Sequence, residues 1–351
     1  MALSTIGTNQ IASGAVTVPK VADQVLSSRN MVINGAQNVA QRGTSATGMG
    51  GSSGYITVDR FAINTNGASA GRFTMTQTAD GPSGFANCTK LDVTTADTSI
   101  AAGERLFLEQ RFEGQNLQRI AKGTSDAQSL TLSFYVKGNA AATYVAGFYD
   151  NDNNRQVSKQ FAVTTSWNRI TLTFPPDTAG AFDDDNALSM QLRFYLHAGS
   201  NYTSGTISET WIASDGTKSV GSGTTSIFDS TDRTFFITGV QLEIGTSATP
   251  FEHEDIGTTL AKCQRYYQQE VVTWILGVEG TRNSKLPFPH KVSMRAAPTS
   301  TLTGGSAANG VLLGTVDVTS ETTNLHFWKG SSASLQNATF SAYTLKANAE
   351  L

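Results

Sequence analysis

Leu130-Thr131-Leu132-Ser133-Phe134-Tyr135-Val136 decides how this chain is read. Leu130, Leu132, Phe134 and Val136 fall on every second residue, with Thr131, Ser133 and Tyr135 between them. A period of two sends one set of side chains to a core and the other to water, which describes a strand in a sheet with one solvated face. Working outward, strand-like runs recur at 55–58, 60–63, 71–76, 144–149, 156–163, 169–174, 190–196 and 234–242. Turn-forming residues separate them, as in Asp150-Asn151-Asp152-Asn153-Asn154, Pro175-Pro176-Asp177 and the Gly/Ser loop at 48–54. Eight or more short strands at this spacing predict an all-β jelly-roll β-sandwich over 31–255. The stretch 198–232, rich in Gly, Ser and Thr, is long for a structureless loop and is expected to be functional or to cover a surface.

The pattern changes at both ends. In 1–30, Ile6, Ile11, Val16, Val21 and Leu26 recur at every fifth position. That spacing fits neither a helix nor a strand, and Pro19 opposes a continuous helix. So thin a segment cannot bury its own apolar side chains, so the alternatives are a disordered tail or an extended assembly arm packed on a neighbouring copy or a docking surface. At the other end, Asp255 is placed to cap a helix running through Thr259, Leu260, Cys263, Tyr266 and Tyr267. Strand-like runs follow at 271–278, 299–303, 311–318, 325–328 and 338–347, so 256–351 reads as a helix plus a small β unit.

Composition excludes several function classes. Charged residues make up 15% of the 351, and 25 basic against 28 acidic residues leave a net charge of -3. No basic field is present to attract nucleic acid or an anionic membrane. No apolar run approaches the ~20 residues of a membrane-spanning helix, and the first residues do not form a signal peptide. Cys88 and Cys263 are far apart in sequence and read as buried thiols.

Catalytic motifs are weak. Gly50-Gly51-Ser52-Ser53-Gly54 matches G-x-S-x-G in letters, but it lacks the strand before and the helix after that a nucleophile elbow needs. The four histidines have no zinc-enzyme spacing. We therefore expect no enzyme, although the paired carboxylates of a glycosidase come from anywhere in a chain. Asp150, Asp152 and Asn154 begin like a calcium loop, but Arg155 and Phe161 stand where that loop needs Gly and Glu. Hard oxygen ligands at Asp183, Asp184 and Asp185 would suit a structural Ca²⁺, against the alternative of a solvated loop. No other cofactor is expected. Glycan binding needs aromatic faces beside planar polar groups, and Tyr195, His197, Tyr202 and Trp211, flanking the long loop, are the candidates.

Several motifs resemble those of phage tail-fibre and virion fibre proteins. Asn34-Gly35-Ala36-Gln37-Asn38-Val39-Ala40-Gln41-Arg42-Gly43-Thr44, with Val58-Asp59-Arg60-Phe61, is similar to the opening of a module common in them. Phe112-Glu113-Gly114-Gln115-Asn116 lies within that module. Residues 237–245, Ala248-Thr249-Pro250-Phe251-Glu252 and Cys263-Gln264-Arg265-Tyr266-Tyr267 resemble its close. The segment 10–17, with Lys20-Val21-Ala22-Asp23, resembles fibre-shaft repeats. The resemblance implies a carbohydrate-binding-module-like jelly roll in a homotrimeric fibre on the virion. It further implies docking on other virion proteins through the arm and attachment to host-surface glycan. A head fibre or decoration protein and a glycan-depolymerising tailspike are the alternatives; the latter usually carries a long parallel β-helix, whose ~20-residue period is not found here.

Overall fold

Alternating strands with one apolar face must pair those faces, and here they do so as two stacked antiparallel sheets. The computed structural model describes residues 28–67, 69–278, 284–308, 317–320, 324–329 and 335–351. The fivefold repeat Ile6, Ile11, Val16, Val21 and Leu26 lies outside the described residues. One sheet has six strands in the order β1 (Ser45–Met49), β4 (Arg72–Thr78), β5 (Cys88–Thr95), β13 (Thr234–Ile244), β7 (Leu130–Gly138), β10 (Asn168–Phe174). The other has seven, ordered β12 (Ile212–Ala213), β9 (Arg155–Val163), β8 (Ala142–Asp150), β11 (Leu188–Ala198), β6 (Arg105–Glu113), β3 (Ala62–Asn66), β2 (Gly54–Tyr55). The chain is an all-β jelly-roll sandwich.

Leu130, Leu132, Phe134 and Val136 enter the shared core with Phe73, Phe148, Phe161, Phe194 and Phe235. Phe134 meets Phe161 and Phe194 edge-on with centroids 5.0 Å apart, a geometry that suits the ring quadrupole. Two expectations change. Of the run at 55–58 only Tyr55 lies in a strand, β2, and the chain then turns, with Arg60 in a left-handed conformation (φ 71°) before β3. The helix spans Ile256–Gln264, with the Asp255 carboxylate accepting from the amides of Gly257 and Thr258. Tyr266 and Tyr267 lie beyond it, and Tyr267 opens β14 (Tyr267–Val278).

β14 belongs to a three-stranded sheet with β19 (Leu335–Asn348) and β16 (Thr299–Ala308). A second three-stranded sheet joins β15 (Ser284–Pro289), β18 (Asn324–Lys329) and β17 (Asp317–Ser320).

The opening motif completes the six-stranded sheet. β13 shifts register between Thr238 and Gln241, at Gly239 (φ 60°), and beyond this bulge β5 no longer pairs with it. Residues 30–35 run alongside instead. Met31 N donates to Leu242 O at 2.9 Å and Val240 N to Gly35 O at 3.0 Å. The Asn30 amide bonds both Val240 O and Leu242 N. Asn34 locks its own turn, accepting from the amides of Asn38 and Val39 and donating to the carbonyls of Val39 and Asp59. A Cβ on Gly35 would lie 2.0 Å from Val240 O, so only glycine fits there.

The remaining motif residues fasten the post-helix segment to the sandwich. Arg60 is 1% exposed, its guanidinium 3.4 Å from the Tyr266 ring centroid, paired with Glu350 and donating to Arg111 O at 2.7 Å. Arg42 stacks on Tyr267 at 3.6 Å and reaches Glu350 at 3.2 Å. Glu113, fully buried, accepts from Arg265 at 2.7 and 3.1 Å, from the Tyr266 hydroxyl at 2.5 Å and from Gln115 at 2.5 Å. Burial pushes the Glu113 carboxyl up, but the bonds from Arg265 and Tyr266 outweigh it and hold the group below the usual glutamate range.

Two outcomes follow from this lock. Arg60→Met removes the buried cation and leaves Glu350 paired with Arg42, and should cost about 3 kcal/mol in denaturant unfolding; a loss under about 1 kcal/mol would contradict the assignment. A depressed carboxyl contributes stability that is present above its unfolded pKa and lost as pH falls through its folded one. The melting-temperature gap between wild type and Glu113→Gln should therefore narrow on acidification from about pH 6 to about pH 3. A gap that holds constant would remove the linkage.

Candidate functional site

The seven-stranded sheet has an outer face whose composition differs from an ordinary solvated surface. Cross-strand register places Arg111, Gln191, Tyr149 and Gln156 in one row. The next row holds Glu109, Arg193, Gly147 and Ser158, and the third Phe107, Tyr195, Val145 and Gln160. These positions alternate with core residues, so all face outward. Arg193 is central. Its guanidinium lies 4.1 Å from the Tyr149 ring centroid and 4.9 Å from that of Phe107. Its Nε donates to Gln191 Oε1 at 2.6 Å and its Nη1 to the Tyr195 hydroxyl at 3.1 Å. Gly147, across from Arg193, has no room for a side chain, since a Cβ would lie 2.4 Å from the Ser158 hydroxyl. Arg193 and Tyr149 remain half-buried, so one ring and one planar donor are open on one side, while Phe107, Tyr195 and Gln191 are buried beside them.

The long connection between β11 and β13 covers one end of this face. Tyr202, Ile207 and Val220 pack on Phe107, Val145 and Tyr195. Backbone groups pin the connection down: Ser158 N donates to Ser208 O at 3.0 Å, and the Gln156 side chain donates to Asp215 O at 2.9 Å. Arg105 spans the boundary, 5.4 Å from the Phe107 ring centroid and 4.9 Å from that of Tyr202.

The four aromatic candidates divide. Tyr195 and Tyr202 meet on this face, Tyr195 buried and Tyr202 half-buried with its hydroxyl accepting from Asn66 at 3.0 Å. Trp211 stands elsewhere, stacked on Phe148 at the core with its indole N–H donating to Pro175 O at 3.0 Å. His197 follows a register shift in β11 that turns it away from Tyr195. It is 2% exposed, with Nδ1 2.8 Å from the Ser226 hydroxyl and Nε2 3.2 Å from Glu104 Oε2. Burial lowers its pKa below the usual histidine value, with Glu104 and Asp97 offsetting part of that effect. The imidazole is accordingly neutral at pH 7. Sequence reading missed Arg193, Tyr149 and Gln191, although their alternation along β8 and β11 was visible; it had no means of joining Glu104, His197 and Ser226.

The acidic clusters are turn residues. Asp150 and Arg155 pair at the base of the β8–β9 hairpin, and Asp150 sits 2.6 Å from the buried Lys122 ammonium. Asp183, Asp184 and Asp185 are exposed, Asp183 N donating to Asp152 and the Asp185 carboxylate accepting from Ala187 N. Among the described residues no three His, Cys, Asp or Glu side chains converge as metal ligands do. No helix among them is long and apolar enough to cross a membrane.

No family model matches the chain, and no curated protein does. Solved structures do show similarity. A family 30 carbohydrate-binding module is 13% identical, covering 67% of this chain and 97% of its own, with a TM-score of 0.33. A CBM4 structure is 12% identical, over 60% of this chain and 98% of its own, with a TM-score of 0.31. A family 11 module from Clostridium thermocellum, solved with a mixed-linked β-1,3-1,4 tetrasaccharide, is 10% identical over 59% and 98%, with a TM-score of 0.30.

Proposed function

We propose that this chain is a structural and adhesive component of a tailed-phage virion, a homotrimeric fibre protein that holds host-surface glycan without cutting its backbone. The fibre reading is supported by the resemblance of the motifs at 34–44, 58–61, 112–116, 237–252 and 263–267. Their residues join distant parts of the chain, Arg60 to Tyr266 and Glu113 to Arg265, which suits a protein that transmits force.

The observation that carries the adhesive part is Arg193 stacked against Tyr149 and Phe107 on the outer face of the seven-stranded sheet. A pyranose presents an apolar C–H face and a rim of hydroxyls. Rings beside pre-oriented planar donors and acceptors match both, and the sheet removes much of the ordering cost of binding. Tyr202, half-buried and packed over the buried Tyr195, extends that surface toward the long connection.

Arg193→Ala and Tyr149→Ala should each weaken binding of the intact protein to host surface polysaccharide by about tenfold or more, the equivalent of about 1.4 kcal/mol. Their circular dichroism should match wild type. Binding that survives both substitutions would move the site elsewhere. Light scattering should give a trimer at micromolar concentration, and a stable monomer would contradict the fibre reading. Linked sites raise avidity by about 10²–10⁴ where geometry permits, so a monomeric form should bind far more weakly. Polysaccharide incubated with the protein should show no new reducing ends.

A further inference from the structure

Three connections meet at one end of the sandwich, and each supplies one polar side chain. Glu104 comes from the link between β5 and β6, His197 from the end of β11, and Ser226 from the long connection before β13. The His197 ring joins the other two, 2.8 Å from the Ser226 hydroxyl through Nδ1 and 3.2 Å from Glu104 through Nε2. Glu104 accepts only as a carboxylate, so the Nε2 proton points to it and the Nδ1 lone pair faces Ser226. The Phe228 ring backs the imidazole edge-on at 5.2 Å.

We infer that Ser226, His197 and Glu104 form a nucleophile, base and orienting group that remove small O-acyl groups, acetyl above all, from glycan. The nucleophile, base and orienting group of an acyl-transfer site each have a physical counterpart here. His197 is enclosed and neutral, able to take a proton at neutral pH. Ser226 is half-buried and His197 behind it is buried, so the base is kept from water. The Phe228 amide donates to Ser226 Oγ at 3.0 Å, so the same hydroxyl caps the short helix Ile227–Asp229 and is held in place beside His197. So confined a hydroxyl suits a short acyl group.

In the reaction, Ser226 Oγ adds to the ester carbonyl carbon as its proton passes to His197 Nδ1. The bond from that carbon to the sugar oxygen then breaks, and the sugar oxygen takes the proton from Nδ1. Water adds to acetyl-Ser226 by the same proton route, releasing acetic acid and restoring the hydroxyl. Glu104 holds the tautomer throughout and stabilises the imidazolium, as a positioning residue. The alcohol half of the substrate rests on the adhesive reading above. Glu104 precedes Arg105, whose guanidinium lies over Phe107 and Tyr202 at the end of the proposed glycan face. The ester chemistry does not depend on that reading.

The test treats the intact protein with an alkyl fluorophosphonate and, separately, with p-nitrophenyl acetate. One label per chain should appear on Ser226 by peptide mass spectrometry, and Ser226→Ala should abolish it and slow ester hydrolysis by about 100-fold or more. Glu104→Gln should slow hydrolysis and shift the acidic limb of its pH profile, whose midpoint in wild type should lie below the ordinary histidine pKa of about 6.5. No label on Ser226 in wild-type protein, or hydrolysis unchanged in Ser226→Ala, would overturn the site. Cleavage of p-nitrophenyl acetate with no acetate released from O-acetylated host polysaccharide would overturn the glycan substrate alone.

Discussion

Arg60 sits in left-handed backbone with its guanidinium removed from water, flat against Tyr266 and paired with Glu350. A buried cation of this kind is stable only while every partner stays in place. Each partner belongs to a different part of the chain: Arg60 to the turn before β3, Arg111 to β6, Tyr266 to the segment after the helix, and Glu350 to the residues after β19. The contact therefore fixes the helix and the β14 sheet against the sandwich. Arg42 on Tyr267 and Arg265 on Glu113 repeat the arrangement on either side. Because the opening segment also completes the six-stranded sheet beside β13, the first and last described residues are tied to the same body.

That rigidity bears on the outer face of the other sheet. Arg60 donates to the Arg111 carbonyl, Arg111 pairs with Glu109, and strand register sets that pair beside the bonded Gln191 and Arg193. A face built on paired strands and anchored by buried charges presents its rings and donors in one arrangement. The loops at the other rim are less regular, and there Glu104, His197 and Ser226 meet.

Much of the sandwich was legible because its strands keep a strict period of two where little charge interrupts it. Leu130 to Val136 and Met190 to Leu196 show this, and the strand ending at Ile244 keeps it on either side of its bulge. β6 was not legible for the opposite reason. Arg105-Leu106-Phe107-Leu108-Glu109-Gln110-Arg111-Phe112-Glu113 carries three buried acidic or amide side chains, Glu109, Gln110 and Glu113. Each depends on partners far away in sequence as well as on near ones: Asn64 beside Arg111 for Glu109, Ile33 for Gln110, and Arg265 with Tyr266 beside Gln115 for Glu113. The motif residues were recognisable as a set, but their role as an interlock follows from contacts across more than a hundred residues. Among the glycan candidates, local composition could not separate Tyr195 and Tyr202, which share a face, from Trp211, which fills the core edge.

The central claim is that the sandwich holds glycan on the outer face of its seven-stranded sheet. The most direct measurement is a structure of the intact protein soaked with oligosaccharides prepared from host surface polysaccharide. The account predicts a sugar ring seated against Tyr149 and Arg193, with Gln191 bonded to its hydroxyls. Sugar bound at another surface, with that face empty in the same crystals, would contradict it.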